Sequence, residues 1–341
     1  MNKKSSLTLN IFILFVAIFL TLFFLECAVR IYFYGIINTV TGRLSSIVPI
    51  SMSGLVKISK NKQISYELKP NTQRFFKLVR VKINSRGLRD YEYKAKKDTG
   101  VFRIIGLGDS IAFGSGVKLD EIYLKRLEER LNKFDSVNKF EVLNFGVGGY
   151  NTEQELAILR ERALKYQPDL VILGYSLNDI FSPVDISSDL KFSFKVFFYS
   201  HSHLFRLLYK RIVNSQRKIS YTGELRSLYK TNSRHWKKQK KIFETFKEIS
   251  SKNNFKILFL LIPHMTQLHK RHPFKNINSK VIKETEQSGF LVLDLLPFFI
   301  GQDAKKLQIY KTDKHPNAKA HKMMADAIYN FLMKMNVITT D

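Results

Sequence analysis

Five apolar runs of strand length, alternating with stretches of helical spacing, constrain this chain more than any single residue does. The runs are Phe102–Leu107, Phe140–Asn144, Leu170–Leu173, Lys256–Ile262 and Leu291–Leu295. Between and after them lie Leu119–Phe134, Thr152–Tyr166, Lys237–Ser251, Asn278–Gln287 and Ala318–Lys334, each with an amphipathic pattern. Short strands that are apolar along their whole length need cover on both faces, and alternating helices provide it. The pattern therefore predicts a parallel sheet with helices on both sides. In open sheets of this kind ligands bind beyond the carboxyl ends of the strands, so any chemistry is expected just after each run.

Four clusters lie at such places. Gly108-Asp109-Ser110 follows the first run, where a glycine turn can hold a hydroxyl at the rim of a sheet as a nucleophile. Asn144-Phe-Gly-Val-Gly-Gly-Tyr-Asn-Thr152 follows the second; Gly146, Gly148 and Gly149 permit tight turns whose free N–H groups can face an anion. Gly174-Tyr-Ser-Leu-Asn178-Asp179 follows the third, and an amide at a strand end can donate to a developing oxyanion. Asp313-Lys-His315-Pro-Asn317 precedes the last helix, and an acid and a histidine close together on a loop can act as orienter and base. Each cluster also has a plainer reading: Ser110 as a helix N-cap, Gly149 as a turn, Asn178 and Asp179 as caps, His315 as a surface histidine. Four of them in this order, each at a strand end or helix start, favour a shared site.

The N-terminus carries a second constraint. Met1-Asn-Lys-Lys is followed by an uncharged stretch from Ser5 to Leu25, long enough for a membrane-spanning helix. Large residues continue to Tyr34, with Arg30, Tyr32 and Tyr34 as interfacial anchors, which argues for an uncleaved signal-anchor over a cleaved signal peptide. Glu26 before the lone Cys27 speaks against a lipid-modified cysteine. Lys3 and Lys4 favour a cytoplasmic N-terminus and an extracytoplasmic body. The expected organisation is a cytoplasmic tail at residues 1–6, a transmembrane anchor at 7–34, a juxtamembrane lead-in at 35–97 packed on the main domain, and a catalytic domain at 98–338. That domain is interrupted at about 180–235 by aromatic and basic stretches, Phe192-Ser-Phe-Lys-Val-Phe-Phe-Tyr and His203-Leu-Phe-Arg-Leu-Leu-Tyr-Lys-Arg-Ile-Val. The interruption is expected to be a helical insertion packed on the domain, with a cap or a membrane-facing amphipathic surface as the alternative.

A single cysteine excludes an internal disulfide and a Cys-based zinc site. The formal charge of +27 raises nucleic-acid binding, but the lysines are spread along the chain and no nucleic-acid motif occurs, so no nucleic-acid partner is expected. A basic solvated surface, or attraction to anionic lipid or acidic polysaccharide, accounts for the same charge.

Taken together, Ser110, Gly149, Asn178 and His315 resemble the four conserved blocks of the SGNH, or GDSL-type, hydrolase superfamily, over about Phe102 to Met333. Asn84-Ser-Arg-Gly-Leu-Arg and the surroundings of Gly108-Asp109-Ser110 are similar to a membrane-anchored bacterial subset often associated with envelope or exported polysaccharide. The resemblance implies a flavodoxin-like three-layer α/β/α fold and a serine esterase working through an acyl-enzyme without metal or organic cofactor. Ser110 would be the nucleophile, His315 the base and Asp313 its orienter. The Ser110 N–H, Gly149 N–H and Asn178 amide would form the oxyanion hole, with Gly108 and Asp109 in support. Two departures stand out: Ile111 where the family often has leucine, and an acid two residues before the histidine where many members place it three before, here Thr312. His321 is an alternative base at a helical position. The implied substrate is an acyl, above all acetyl, ester of a glycan. Acyl transfer to a sugar, non-catalytic glycan binding, and lipid esterase or thioesterase activity are the alternatives.

Overall fold

The computed structural model describes residues 3–34, 52, 54–77, 79–134, 139–182, 198, 202–215, 220–266, 268–269, 272–310 and 313–338. Helix α1 spans Lys3–Tyr34; within it the 25 residues Leu7–Ile31 form an apolar stretch long enough to cross a membrane, exposed from Leu7 to Leu25 and partly covered beyond it. Two antiparallel pairs follow, β1 (Val56–Ile58) with β2 (Tyr66–Leu68), and β3 (Thr72–Phe76) with β4 (Val79–Ile83). The main domain then runs β5 (Val101–Leu107), α2 (Ser110–Phe113), α3 (Tyr123–Phe134), β6 (Lys139–Asn144), α4 (Thr152–Glu161) and β7 (Leu170–Tyr175). After it come α5 (His203–Ser215), α6 (Tyr221–Leu228), α7 (Arg234–Asn253), β8 (Lys256–Leu261), α8 (Lys275–Gln287), β9 (Leu291–Asp294) and α9 (Leu296–Phe299). The antiparallel ribbon β10 (Gln308–Tyr310) and β11 (Asp313–Pro316) leads into α10 (Ala318–Lys334).

The five main strands are parallel throughout, in the order β6-β5-β7-β8-β9. That order is the flavodoxin-like one, and its switch point lies between β5 and β7. Successive side chains of a strand point to opposite faces, and the core divides accordingly. Ile105, Leu107, Val171 and Leu173 pack with Leu156 and Leu159 of α4 and with Phe243 and Phe246 of α7. Ile104, Val142, Ile172 and Leu258 pack with Leu124 and Leu127 of α3 and with Met324 and Ile328 of α10. The three-layer arrangement expected from the alternation is thus observed.

Differences from the sequence reading are local. The pattern Leu119–Phe134 opens with a 3₁₀ turn at Leu119–Glu121 before α3 begins. The pattern Thr152–Tyr166 breaks at Arg162 into α4 and a 3₁₀ turn at Ala163–Tyr166. The lead-in carries two hairpins that bury Leu55, Ile64, Tyr66, Leu68, Val81 and Ile83 in the same core as α4. In the insertion, the stretch 192–199 lies outside the described residues apart from Phe198, while α5 and α6 are helical as expected. The two go separate ways: α6 buries Leu225 in the domain core, whereas α5 packs on α1.

Candidate active site

The site is built at the carboxyl ends of β5, β6 and β7. At the end of β5, Gly108 takes φ +155°, and a Cβ there would lie 2.8 Å from Ala112 Cβ and 3.3 Å from the Gly174 carbonyl oxygen. Only glycine fits this close approach. Asp109 then caps α2, its Oδ1 accepting from Ile111 N at 2.8 Å, so Ser110 becomes the first helical residue with a half-exposed side chain. The cap in this turn is therefore Asp109, not Ser110.

After β6 the chain is stitched to the same turn. Asn144 Nδ2 donates to the Ala112 carbonyl at 2.8 Å, and its Oδ1 accepts from Gly146 N at 2.9 Å. The Cβ position that Gly148 lacks lies 3.8 Å from Ser110 Cβ, which places the glycine loop beside the serine. Tyr66 of β2 donates its hydroxyl proton to the Gly148 carbonyl at 2.8 Å. In a trans peptide the carbonyl and the following N–H point in opposite directions, so this bond aims the Gly149 N–H away from Tyr66. Gly149 itself has φ +85°, and a side chain on it would meet the Tyr66 hydroxyl at 2.7 Å.

After β7, Asp179 Oδ2 accepts from Ser176 N at 2.7 Å and closes a capping box; Asn178, next to it, is exposed and lines the cleft over Ser110. Behind this rim lies a buried set of carboxyls, Asp109, Glu155 and Asp179. Burial pushes all three above their ordinary values, and the charge of Asp109 raises Glu155 and Asp179 further.

The ribbon β10–β11 brings in the fourth cluster. In an extended strand residues i and i+2 share a face, so Asp313 and His315 project to the same side. This is the physical reason that a two-residue spacing works here. His315 Nδ1 meets Asp313 Oδ1 in a short hydrogen bond, and His315 Nε2 lies 2.8 Å from Ser110 Oγ. Burial opposes ionisation of Asp313, but the His315 hydrogen bond and charge, and then Lys77, outweigh it and hold the carboxyl well below its usual range. Thr312 lies outside the described residues. The alternative base, His321, is fully buried in α10. Its Nδ1 accepts from Tyr123 N at 3.2 Å, its ring stacks on Tyr123, and burial drives its pKa down to about 3. It is a structural acceptor, far from being a solvent-facing base.

Sequence reasoning missed Lys77. It sits at the turn of the β3–β4 hairpin, with φ +47°, and its Nζ reaches Asp313 Oδ2 at 2.7 Å and His315 Nδ1 at 3.2 Å. Only 9% of its side chain is exposed. The β11 ribbon returns the contact, Tyr310 donating its hydroxyl to the Lys77 carbonyl at 3.2 Å. The alternation of Arg74–Ile83 reads as a single hairpin strand, whereas the structure folds it at Lys77 into two, and nothing in the sequence separates Lys77 from the other basic residues. An ion pair on the outer carboxylate oxygen holds Asp313 in the rotamer that serves the histidine, and charge-assisted bonds of this kind contribute about 1.5–3 kcal/mol. Lys77→Met is expected to lower kcat about tenfold with little change in KM, and Lys77→Arg to restore most of the loss. Steady-state kinetics of the two variants checks this; equal damage by both would show a packing role alone.

A cleft of about 510 Å³ opens over Ser110 and His315. Ile111, Leu177, Ile262 and Phe274 supply apolar walls, α6 adds Tyr221 and Leu225, and Lys77, His264 and Lys314 also line it, with burial holding His264 below the ordinary histidine range. Among the described residues no group of three or more His, Cys, Asp or Glu side chains is arranged to hold a metal ion.

Residues 107–323 match the sequence model of the GDSL-like lipase/acylhydrolase family. No curated protein matches the chain. Among solved structures it is similar to a two-domain esterase active on acetylated mannans, at 17% identity and TM-score 0.44 over 71% of this chain and 51% of that one. It is also similar to an alpha/beta hydrolase enzyme from the metagenome of Lake Arreo, Spain, at 14% identity and TM-score 0.45 over 70% and 97% of the two chains. A third is the acetyl xylan esterase AlAXEase, at 16% identity and TM-score 0.41 over 67% and 98%. The chain spans about half the length of the first of these.

Proposed function

The chain belongs to the GDSL-like lipase/acylhydrolase family, and on that premise we propose that it is a serine esterase whose nucleophile is Ser110. The observation that carries this reading is the continuous relay Ser110 Oγ, His315 Nε2, His315 Nδ1, Asp313 Oδ1, with 2.8 Å at its reacting end. In the acylation step His315 takes the Ser110 proton as Oγ adds to the ester carbonyl, and then returns it to the leaving alcohol. Asp313 keeps the imidazole in the tautomer with Nδ1 protonated and stabilises the imidazolium that forms. Water activated by the same histidine releases the acyl group. The oxyanion receives the N–H of Ser110 at the start of α2, the N–H of Gly149 oriented through Tyr66, and the amide of Asn178.

The substrate in this reading is an acyl ester, an acetyl ester above all, on an envelope or exported glycan. Its support is the apolar α1, which reads as an uncleaved anchor holding residues 98–338 outside the cytoplasmic membrane, and the formal charge of +27, which suits an acidic glycan. Full-length protein in detergent is expected to release acetate from p-nitrophenyl acetate and from O-acetylated acidic oligosaccharides, and to be labelled by a fluorophosphonate. Ser110→Ala should lose both activities while keeping its circular-dichroism spectrum. A folded wild-type protein that shows neither turnover nor labelling would overturn the esterase reading, and a preference for long acyl chains would overturn the glycan.

A further inference from the structure

Among the described residues, the main packing of helix α5 of the insertion is against α1. The junction is specific. Glu26 Oε2 accepts from Leu204 N at 2.9 Å and from Ser202 Oγ at 2.8 Å, and Ser202 Oγ in turn accepts from Phe205 N at 3.0 Å. Glu26 of α1 thus serves as the N-terminal cap of α5, a favourable place for a carboxylate against the helix dipole. Its other oxygen pairs with Arg30 Nε at 2.8 Å. Because α5 starts on Glu26, its distance from the membrane is set by the depth of Glu26 along α1.

That depth follows from helix geometry. Glu26 lies five residues before the end of the apolar stretch Leu7–Ile31, about 7 Å along the axis. In a helix that crosses the bilayer this is the outer edge of the hydrocarbon. A carboxylate is tolerated there because it is paired and hydrogen-bonded. The α5 sequence fits the same place. Leu204, Leu208 and Ile212 recur every four residues and line one stripe, flanked by Phe205 and Tyr209, with Arg206, Lys210 and Arg211 interleaved. Leu204, Phe205 and Tyr209 are half-buried, whereas Leu208 is 50% and Ile212 56% exposed, and Leu207 is exposed beside them. Phe198, also exposed, packs its ring 5.8 Å from that of Phe205 and extends the apolar surface.

We infer that α5 is an interfacial membrane helix, seated on the outer leaflet of the bilayer that α1 crosses, with Leu208 and Ile212 among the acyl chains. This rests on α1 as a membrane span and on nothing in the catalytic assignment. An amphipathic helix with large apolar residues on one face and basic residues between them is the form that lies in the interface plane. Its consequence for the site is geometric. The chain passes from α5 to α6, and α6 contributes Tyr221 and Leu225 to the cleft, so the cleft is held close to the membrane surface.

The test uses the full chain in lipid nanodiscs, with the single cysteine removed as Cys27→Ser. Nitroxide labels are placed by Leu208→Cys, Ile212→Cys, Phe19→Cys in the middle of α1, and Glu248→Cys on the exposed face of α7. Accessibility is read by electron-spin power saturation with oxygen, which concentrates in lipid, and with a water-soluble nickel chelate. Labels at 208 and 212 are expected to follow 19, with oxygen dominating, and to have lost the nickel broadening seen at 248. If 208 and 212 follow 248 while 19 stays in lipid, the inference fails and the anchor stands. If 208 and 212 are shielded from both reagents, protein covers the face and the inference also fails. Nickel access at 19 would overturn α1 as a span, and α5 with it.

Discussion

His315→Ala is expected to lower kcat about ten-thousand- to a million-fold, the largest single effect in the molecule. The expectation rests on position. His315 Nε2 is 2.8 Å from Ser110 Oγ, and a serine hydroxyl at neutral pH is a poor nucleophile without a base at that distance. Removing the ring also strands Asp313, which then faces Lys77 alone and has no proton acceptor to orient. His321 is the control. Its ring is fully buried and accepts from the Tyr123 backbone, so His321→Ala is expected to act on stability, leaving the rate per folded molecule near wild type. Fluorophosphonate labelling of Ser110 measured beside ester turnover separates the two. Labelling that persists at the wild-type rate in His315→Ala would remove His315 as the base.

The sheet and its flanking helices were legible because each rests on a long periodic signal. The last helix, α10, runs over the same residues, Ala318–Lys334, that its pattern predicts. The four site clusters were legible for a related reason: an open parallel sheet directs chemistry to strand ends, and the sequence marks those ends with glycine, asparagine and serine. What stayed hidden is short or long-range. The ribbon β10–β11 contains Asp313-Lys-His-Pro, with no apolar alternation to announce a strand, yet its extended form is what makes the Asp313–His315 spacing work. Lys77, Tyr66 and Arg89 act on the site across large sequence separations, and no local pattern reports such a contact. Arg89 explains a motif that sequence could only flag. It is buried, with its pKa lowered by burial to about 10, and donates to the carbonyls of Phe113 at 2.9 Å and Val117 at 2.6 Å. It thereby satisfies the carboxyl end of the helix that Ser110 begins, a task left to side chains when a helix is this short.

The neighbouring Asp90 carries the largest stability effect: Asp90→Ala is expected to cost about 3–5 kcal/mol, the combined loss of charge-assisted hydrogen bonds and of the acceptor for a buried N–H. Asp90 Oδ1 pairs with Lys125 Nζ at 2.8 Å, and the two side chains are 0% and 2% exposed. Lys125 keeps Glu128 at 2.6 Å, the Tyr93 hydroxyl at 2.7 Å and the Val142 carbonyl at 2.6 Å, so its charge is not left bare. The backbone loses more. Asp90 Oδ2 is the acceptor of Asn144 N at 2.6 Å, and in the alanine variant that N–H is buried at the end of β6 without a partner. In a domain of this size the loss corresponds to a melting temperature lower by on the order of 10 °C. Glu129→Ala, which breaks the exposed pair with Lys133, is the contrast and is expected to leave the melting temperature within error, since solvent-exposed pairs contribute little. Differential scanning fluorimetry of the full chain in detergent measures both. The activity of the surviving folded fraction carries further information, because Asn144 also holds the loop to α2 and leads to Gly149. If Asp90 only braces the fold, turnover per folded molecule stays constant. If the lead-in also sets the oxyanion hole, kcat falls with the melting temperature while KM holds. A variant as stable as wild type would mean that residues 35–97 lean on the catalytic domain without being part of it.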